Sequence, residues 1–92
     1  MNKKINIIRR KLDLLDDKML NIIKKRKSLV DKILKQKKYK REIIDKKRIN
    51  VILLRIANKS AQKKLDKKIT RAIWKSMIRA FINYEFRNFK KK

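Results

Sequence analysis

The chain has no glycine, no proline, no cysteine and no histidine. Without glycine, the positive-φ positions of tight hairpins have no natural occupant, so a β-rich fold is disfavoured. Without proline, no residue stops a helix by covalent constraint. Without cysteine there is no disulfide and no thiolate metal site, and without histidine the usual general base and commonest metal ligand are missing. Only two glutamates and six aspartates remain, too few for a metal cluster to be expected. No cofactor is expected either. Long apolar runs are also lacking: the longest uninterrupted one is Val51 to Leu54. Neither a membrane span nor a secretory leader is expected, because charges interrupt every apolar stretch from Met1 to Asp17. These absences point to a soluble, cytoplasmic, all-α protein.

What is present is positive charge. Lys and Arg number 32 against 8 Asp and Glu, a net +24 over 92 residues. Such a surface attracts anions, whether nucleic acid, anionic lipid or small acidic metabolites. AT-rich codons encode the residues in excess, Lys, Ile and Asn, so codon bias is a competing source of the charge. Total charge therefore does not decide function.

Apolar residues organise the chain into three helices within one domain, residues 1–92. Ile5, Ile8, Leu12, Leu15, Met19, Ile22, Arg26, Leu29 and Ile33 follow a 3-4 spacing. This predicts a long first helix over about 4–38. Lys37 to Glu42 has no apolar anchor and reads as a loop. A second helix is predicted over 45–58, with Ile49, Ile52, Leu53 and Ile56 on one face. The polar run Asn58 to Lys64 reads as a connection. Asp66 is a suitable N-cap for a third helix over 66–89. That helix carries Trp74, Ile78, Phe81 and Glu85 along one stripe, beside Ile69, Ile73, Met77, Ala80 and Tyr84. Lys90 to Lys92 reads as a frayed basic tail. A first helix of roughly 50 Å outreaches its shorter partners. Its uncovered seam is expected to pair with a second copy, giving an intertwined C2 homodimer.

Several charges stand where this pattern asks for apolar side chains. Arg26 interrupts the first seam, where a charge is costly unless paired or met by a ligand; the bland reading is a packed stem with its head in solvent. Lys37 lies eleven residues on, three helical turns, pointing the same way. Arg9 is too far down the helix to share their pocket within one chain, but it can enter a partner's. Asp45 and Arg48 share a face of helix two, as a surface ion pair or as site residues. Glu85 ends an apolar stripe, as a solvated last-turn carboxylate or as a site residue. Together these groups suggest a pocket for a small polyanion. The set contains no nucleophile–base pair, no metal cluster and no phosphate-cradling loop, so its chemistry is holding and polarising.

The segment IIRRKLDLLDDKMLNIIKKRKSLVDKILKQKK resembles the long first helix of the all-helical bacterial chorismate mutases. Leu15-Asp16, Arg26 and a Lys eleven further on fit that helix without a gap. IIDKKRINVILLR is similar to the family's acidic-residue-then-Arg signature, with one residue deleted before Asp45. ITRAIWKSMIRAFINYE resembles the family's third helix, with its aromatic, two aliphatics and terminal Gln or Glu. The resemblance implies rearrangement of chorismate, a small dianion, to prephenate. It assigns Lys37 and Glu85 to the ether oxygen of the breaking bond, and Arg26, Arg48 and the partner's Arg9 to carboxylates. Asp45 is assigned to the ring hydroxyl. Glu85 must carry a proton to donate there, and substrate binding is expected to favour that form. Ile49 and Phe81 are lining positions that depart from the family, which often has glutamate and serine there.

Three rival readings remain. A pyruvate lyase acting on isochorismate shares the fold and the cation pocket. A basic helical nucleic-acid-binding protein needs Lys and Arg on one face, whereas here they surround every helix. A purely structural dimer, or a regulatory remnant with a damaged site, would also tolerate Ile49 and Phe81.

Overall fold

The computed structural model describes residues 2–90, and Lys91 and Lys92 of the expected basic tail lie outside them. Three helices make up most of the chain: α1 (Lys3–Gln36), α2 (Lys46–Gln62) and α3 (Lys67–Asn88). Among the described residues there is no strand, and no helix is long and apolar enough to cross a membrane.

Local chemistry sets the helix ends. Asn2 caps α1, its side chain accepting from the Lys4 N–H at 2.9 Å. Asp45 caps α2 through the Arg48 N–H at 3.0 Å. Asp66 caps α3 through the Lys68 N–H at 2.8 Å. Each short polar side chain satisfies a backbone donor that the helix leaves unpaired. α1 ends where Lys37 turns extended, at ψ 129°.

The connection between α1 and α2 contains a single 3₁₀ turn at Lys40–Glu42. The Glu42 carboxylate gathers it, accepting from the N–H groups of Lys38 at 2.7 Å and Tyr39 at 3.2 Å. Ile43, just beyond the expected loop, is the apolar anchor and is almost fully buried.

The polar run after Asn58 is not a connection: α2 continues to Gln62. Ser60 is buried, its hydroxyl donating to the Ile56 carbonyl at 2.6 Å and pairing with Thr70 Oγ1 at 2.8 Å. A polar side chain satisfied inside the helix needs no solvent. The stop comes four residues later, where Lys64 adopts φ 57°. The Leu65 N–H reaches the Ser60 carbonyl and the Lys64 N–H reaches that of Ala61, the hydrogen-bond pair of a Schellman cap. Lysine occupies the left-handed position usually given to glycine, at a cost of roughly 1–2 kcal/mol.

α2 and α3 form an antiparallel hairpin, and α1 packs against α3. The packing leaves much of α1 uncovered. Ile5, Ile8, Leu12, Leu15, Met19, Ile22, Leu29 and Ile33 are between 44% and 62% exposed. Leu34, Ile43 and Ile56 are the buried apolar residues among those described. The Cα radius of gyration is 16.8 Å, against about 12 Å for a compact chain of this length. The shape, 56 × 26 × 17 Å, follows the axis of α1.

Candidate functional site

The structure sorts the candidate residues into two groups. The first is a contact between the end of α1 and the last turns of α3. Lys37 Nζ lies 3.2 and 3.4 Å from the two oxygens of Glu85. The pair is sheltered, with side-chain exposures of 18% for Lys37 and 8% for Glu85. Glu85 is therefore a buried acid with a cation as partner, rather than a solvated last-turn carboxylate. Removing one member of such a pair strands the other and costs about 3–5 kcal/mol.

The second group lies around an open cavity of about 700 Å³, within the usual range for small-molecule sites. Arg26 reaches it from α1, Arg48, Arg55 and Lys59 from α2, Lys63 from the cap just past the end of α2, and Trp74 from α3. No carboxylate lines it. Arg26 is half-buried, and it also borders a separate apolar groove of about 830 Å³ between α1 and α3. Lys37 does not line this cavity, although helical spacing put it on the stripe of Arg26. It is the capping residue that leaves α1, and its ammonium is committed to Glu85.

The other assigned residues fall as follows. Asp45 is exposed and spends one carboxylate oxygen on the Arg48 backbone N–H. It makes a cap rather than the side-chain ion pair that the i, i+3 spacing suggests. Arg9 is exposed on α1 and does not line the cavity; seventeen residues from Arg26, it is about 25 Å away along the axis. Ile49 is half-buried and does not line the cavity. Phe81 lines the apolar groove instead, stacked edge-on against Tyr84 at 6.5 Å.

One network near the site has no sequence-level signal. The Tyr84 hydroxyl donates to Asp31 at 2.6 Å, and Lys27 pairs with the same carboxylate at 3.0 Å. The Tyr84 hydroxyl, then Lys27, holds the Asp31 carboxyl below its ordinary value. Asp31, then Tyr84, raises the Lys27 ammonium. The network ties α1 to α3 one residue before Glu85. Arg55, Lys59 and Lys63 were also not singled out by sequence. Their i, i+4, i+8 spacing is legible, but it lacks contrast on helices that are basic all round.

Among the described residues no group of three or more potential metal ligands occurs. What the arrangement can do is bind anionic groups through Arg26 and Arg48, and present an ammonium and a carboxyl group side by side.

The family model described as chorismate mutase type II matches residues 8–86, a span holding every candidate residue from Arg9 to Glu85. No curated protein and no solved structure matches the chain.

Proposed function

The chain belongs to the chorismate mutase type II family, and from that premise we propose that it rearranges chorismate to prephenate in a pocket shared by two copies. The observation that carries the reading is the cavity. Arg26 and Arg48, from different helices, line one concave surface with no carboxylate among its walls. That suits a substrate bearing two carboxylates.

The reaction breaks one bond and makes another within a single molecule. It needs no nucleophile, metal or net proton transfer. Its demands are a compact substrate conformer and stabilisation of negative charge growing on the ether oxygen. In this reading Arg26 and Arg48 hold carboxylates and restrict conformation, while the Arg48-capping Asp45 faces the ring hydroxyl. Lys37 and Glu85, which do not line the cavity in the single chain, are assigned to the ether oxygen by the family pattern, so the reading requires that they border the substrate once the second copy closes the site. A million-fold acceleration corresponds to roughly 8 kcal/mol. Charged hydrogen bonds contribute about 1.5–3 kcal/mol each, so a few that strengthen in the transition state suffice. With Ile49 and Phe81 at their positions, recognition of the hydroxyl rests on Asp45.

The second copy completes both fold and site. With Leu34, Ile43 and Ile56 as the buried apolar side chains among the described residues, the single chain has little core of its own. The exposed seam of α1 supports a C2 homodimer in which the missing burial comes from a second seam. Such pairing would carry Arg9 of one copy toward the cavity of the other. The reading sets the enzyme in the cytoplasm.

Chorismate loss, followed spectrophotometrically with product identification, tests the assignment. Prephenate formation with a Lys37→Ala variant about 10- to 100-fold slower in kcat is expected, the loss of one charged contact. Release of pyruvate would move the activity to the lyase class. An unchanged rate in the variant would remove Lys37 from the chemistry.

A further inference from the structure

The cation-lined cavity extends along α2 beyond the two arginines assigned to the substrate. We propose that its far wall, formed by Arg55, Lys59 and Lys63, is a second anion subsite selective for a diphosphate-bearing small molecule.

Arg55 and Lys59 stand one turn apart on α2, about 6 Å along the axis, and Lys63 follows four residues on as the helix's capping residue. Like charges at that spacing repel one another and lower helix stability. Other cations near the site are neutralised: Lys37 has Glu85 and Lys27 has Asp31. These three face a concave surface with no carboxylate, and concave walls of one sign concentrate the potential. Asp66, the acid nearest in sequence, has an oxygen engaged by the Lys68 N–H at 2.8 Å and does not line the cavity.

The hydroxyls in the cavity decide the kind of anion. Ser60 Oγ gives its proton to the Ile56 carbonyl at 2.6 Å. The Thr70 hydroxyl has two acceptors within reach, Ser60 Oγ at 2.8 Å and the Lys67 carbonyl at 3.4 Å. Both hydroxyl protons are spent within the protein, so Arg55, Lys59 and Lys63 offer only guanidinium and ammonium groups, and the indole N–H of Trp74 is the neutral side-chain donor left in the lining. Recognition then depends on charge density and on spacing. A diphosphate, with more charge than a single phosphate and enough length to meet two neighbouring cations, is favoured. The cavity volume of about 700 Å³ lies within the range of sites for drug-sized ligands, which leaves room beside a ten-carbon diacid. The proposal does not depend on the reaction at Lys37.

Calorimetric titration of inorganic pyrophosphate and inorganic phosphate into the whole protein tests it. Saturable pyrophosphate binding is expected, at least ten times tighter than phosphate. In the triple variant Arg55→Gln, Lys59→Gln, Lys63→Gln the pyrophosphate Kd should rise at least tenfold. The charge-matched control Lys18→Gln, Lys25→Gln, Lys32→Gln, on the exposed side of α1, should change it less than threefold. Equal weakening in both variants would mean diffuse attraction to a +24 protein and overturn the subsite. Equal affinity for the two anions would overturn it as well. Amide shift mapping on the wild type is independent of how the variants fold. Shifts confined to residues 55–63 and Thr70 support the subsite, and shifts spread over all helices refute it. ADP in a parallel titration separates the sources: affinity equal to pyrophosphate assigns the diphosphate alone, and tighter binding assigns a nucleotide.

Discussion

Lys37 and Glu85, 48 positions apart in sequence, meet at 3.2 and 3.4 Å through both carboxylate oxygens. The contact closes the end of α1 onto α3 and gives the chain its buried carboxylate. It also occupies, in the free protein, the two groups assigned to a single substrate oxygen. An ether oxygen entering between them must replace a carboxylate as the acceptor of the Lys37 proton, and must find a proton on Glu85.

The first prediction concerns that donor. If Glu85 donates to the ether oxygen, an amide at its position keeps a donor there and a methyl group does not. Glu85→Gln should therefore keep kcat/KM close to the wild type, and Glu85→Ala should lose about 10- to 100-fold, one charged contact. Equal losses in the two variants would exclude the donor role.

A second prediction concerns assembly. Leu15 lies in the seam of α1 and is 52% exposed in the single chain. Leu15→Glu should place a charge at the centre of a two-copy interface twice over, at a cost of several kcal/mol. Sedimentation equilibrium should give twice the chain mass for the wild type, and a poorly helical monomer for the variant at micromolar concentration. A wild type that sediments as a folded monomer would remove both the shared pocket and the role of Arg9.

The Tyr84–Asp31 contact predicts a pH-dependent stability. The Tyr84 hydroxyl, followed by Lys27, depresses the Asp31 carboxyl in the folded state. A depressed carboxyl contributes stability above its unfolded pKa, and the contribution is lost as pH falls through the folded value. Tyr84→Phe should therefore lower Tm at neutral pH, with the difference shrinking below about pH 4, the unperturbed range for aspartate. A Tm gap that stays constant down to pH 2 would assign the effect to packing alone.

Glu42 predicts a local acid transition. Backbone donors at Tyr39 and then Lys38 hold its carboxyl below the ordinary value. Closure of the α1–α2 loop is thus complete above the unfolded pKa of glutamate and weakens as pH falls through the lower, folded value. Amide exchange at Lys38 and Tyr39 should accelerate on acidification in the wild type. In Glu42→Gln, which has no carboxyl to titrate, it should not respond to pH beyond the intrinsic rate. The same acid acceleration in both proteins would refute the loop-closing role.

Much of this molecule is readable locally. The 3-4 spacing of α1, the Asp45 and Asp66 caps and the absence of breakers are properties of neighbouring residues, and the three helices follow from them. The end of α2 is not legible locally, because Asn58 to Lys64 is polar and polarity usually marks solvent. Ser60 is buried because Thr70, ten positions on, receives it. Glycine's absence argues against tight β-hairpins, and the positive-φ position that does occur, Lys64 at φ 57°, lies in a helix cap.

The sequence by itself determined the fold class, the apolar seam and the family, because each is carried by residue type at helical spacing. It also marked Arg26 and Glu85 as charges out of place. Only the tertiary structure decided their company: Lys37 with Glu85, Arg26 with Arg48 and three further cations, and Phe81 with an apolar groove. Those partnerships depend on where two turns return the chain, and a few degrees at a turn move the far end of a helix by ångströms. Helical periodicity names the face a side chain occupies, and packing names what that face meets.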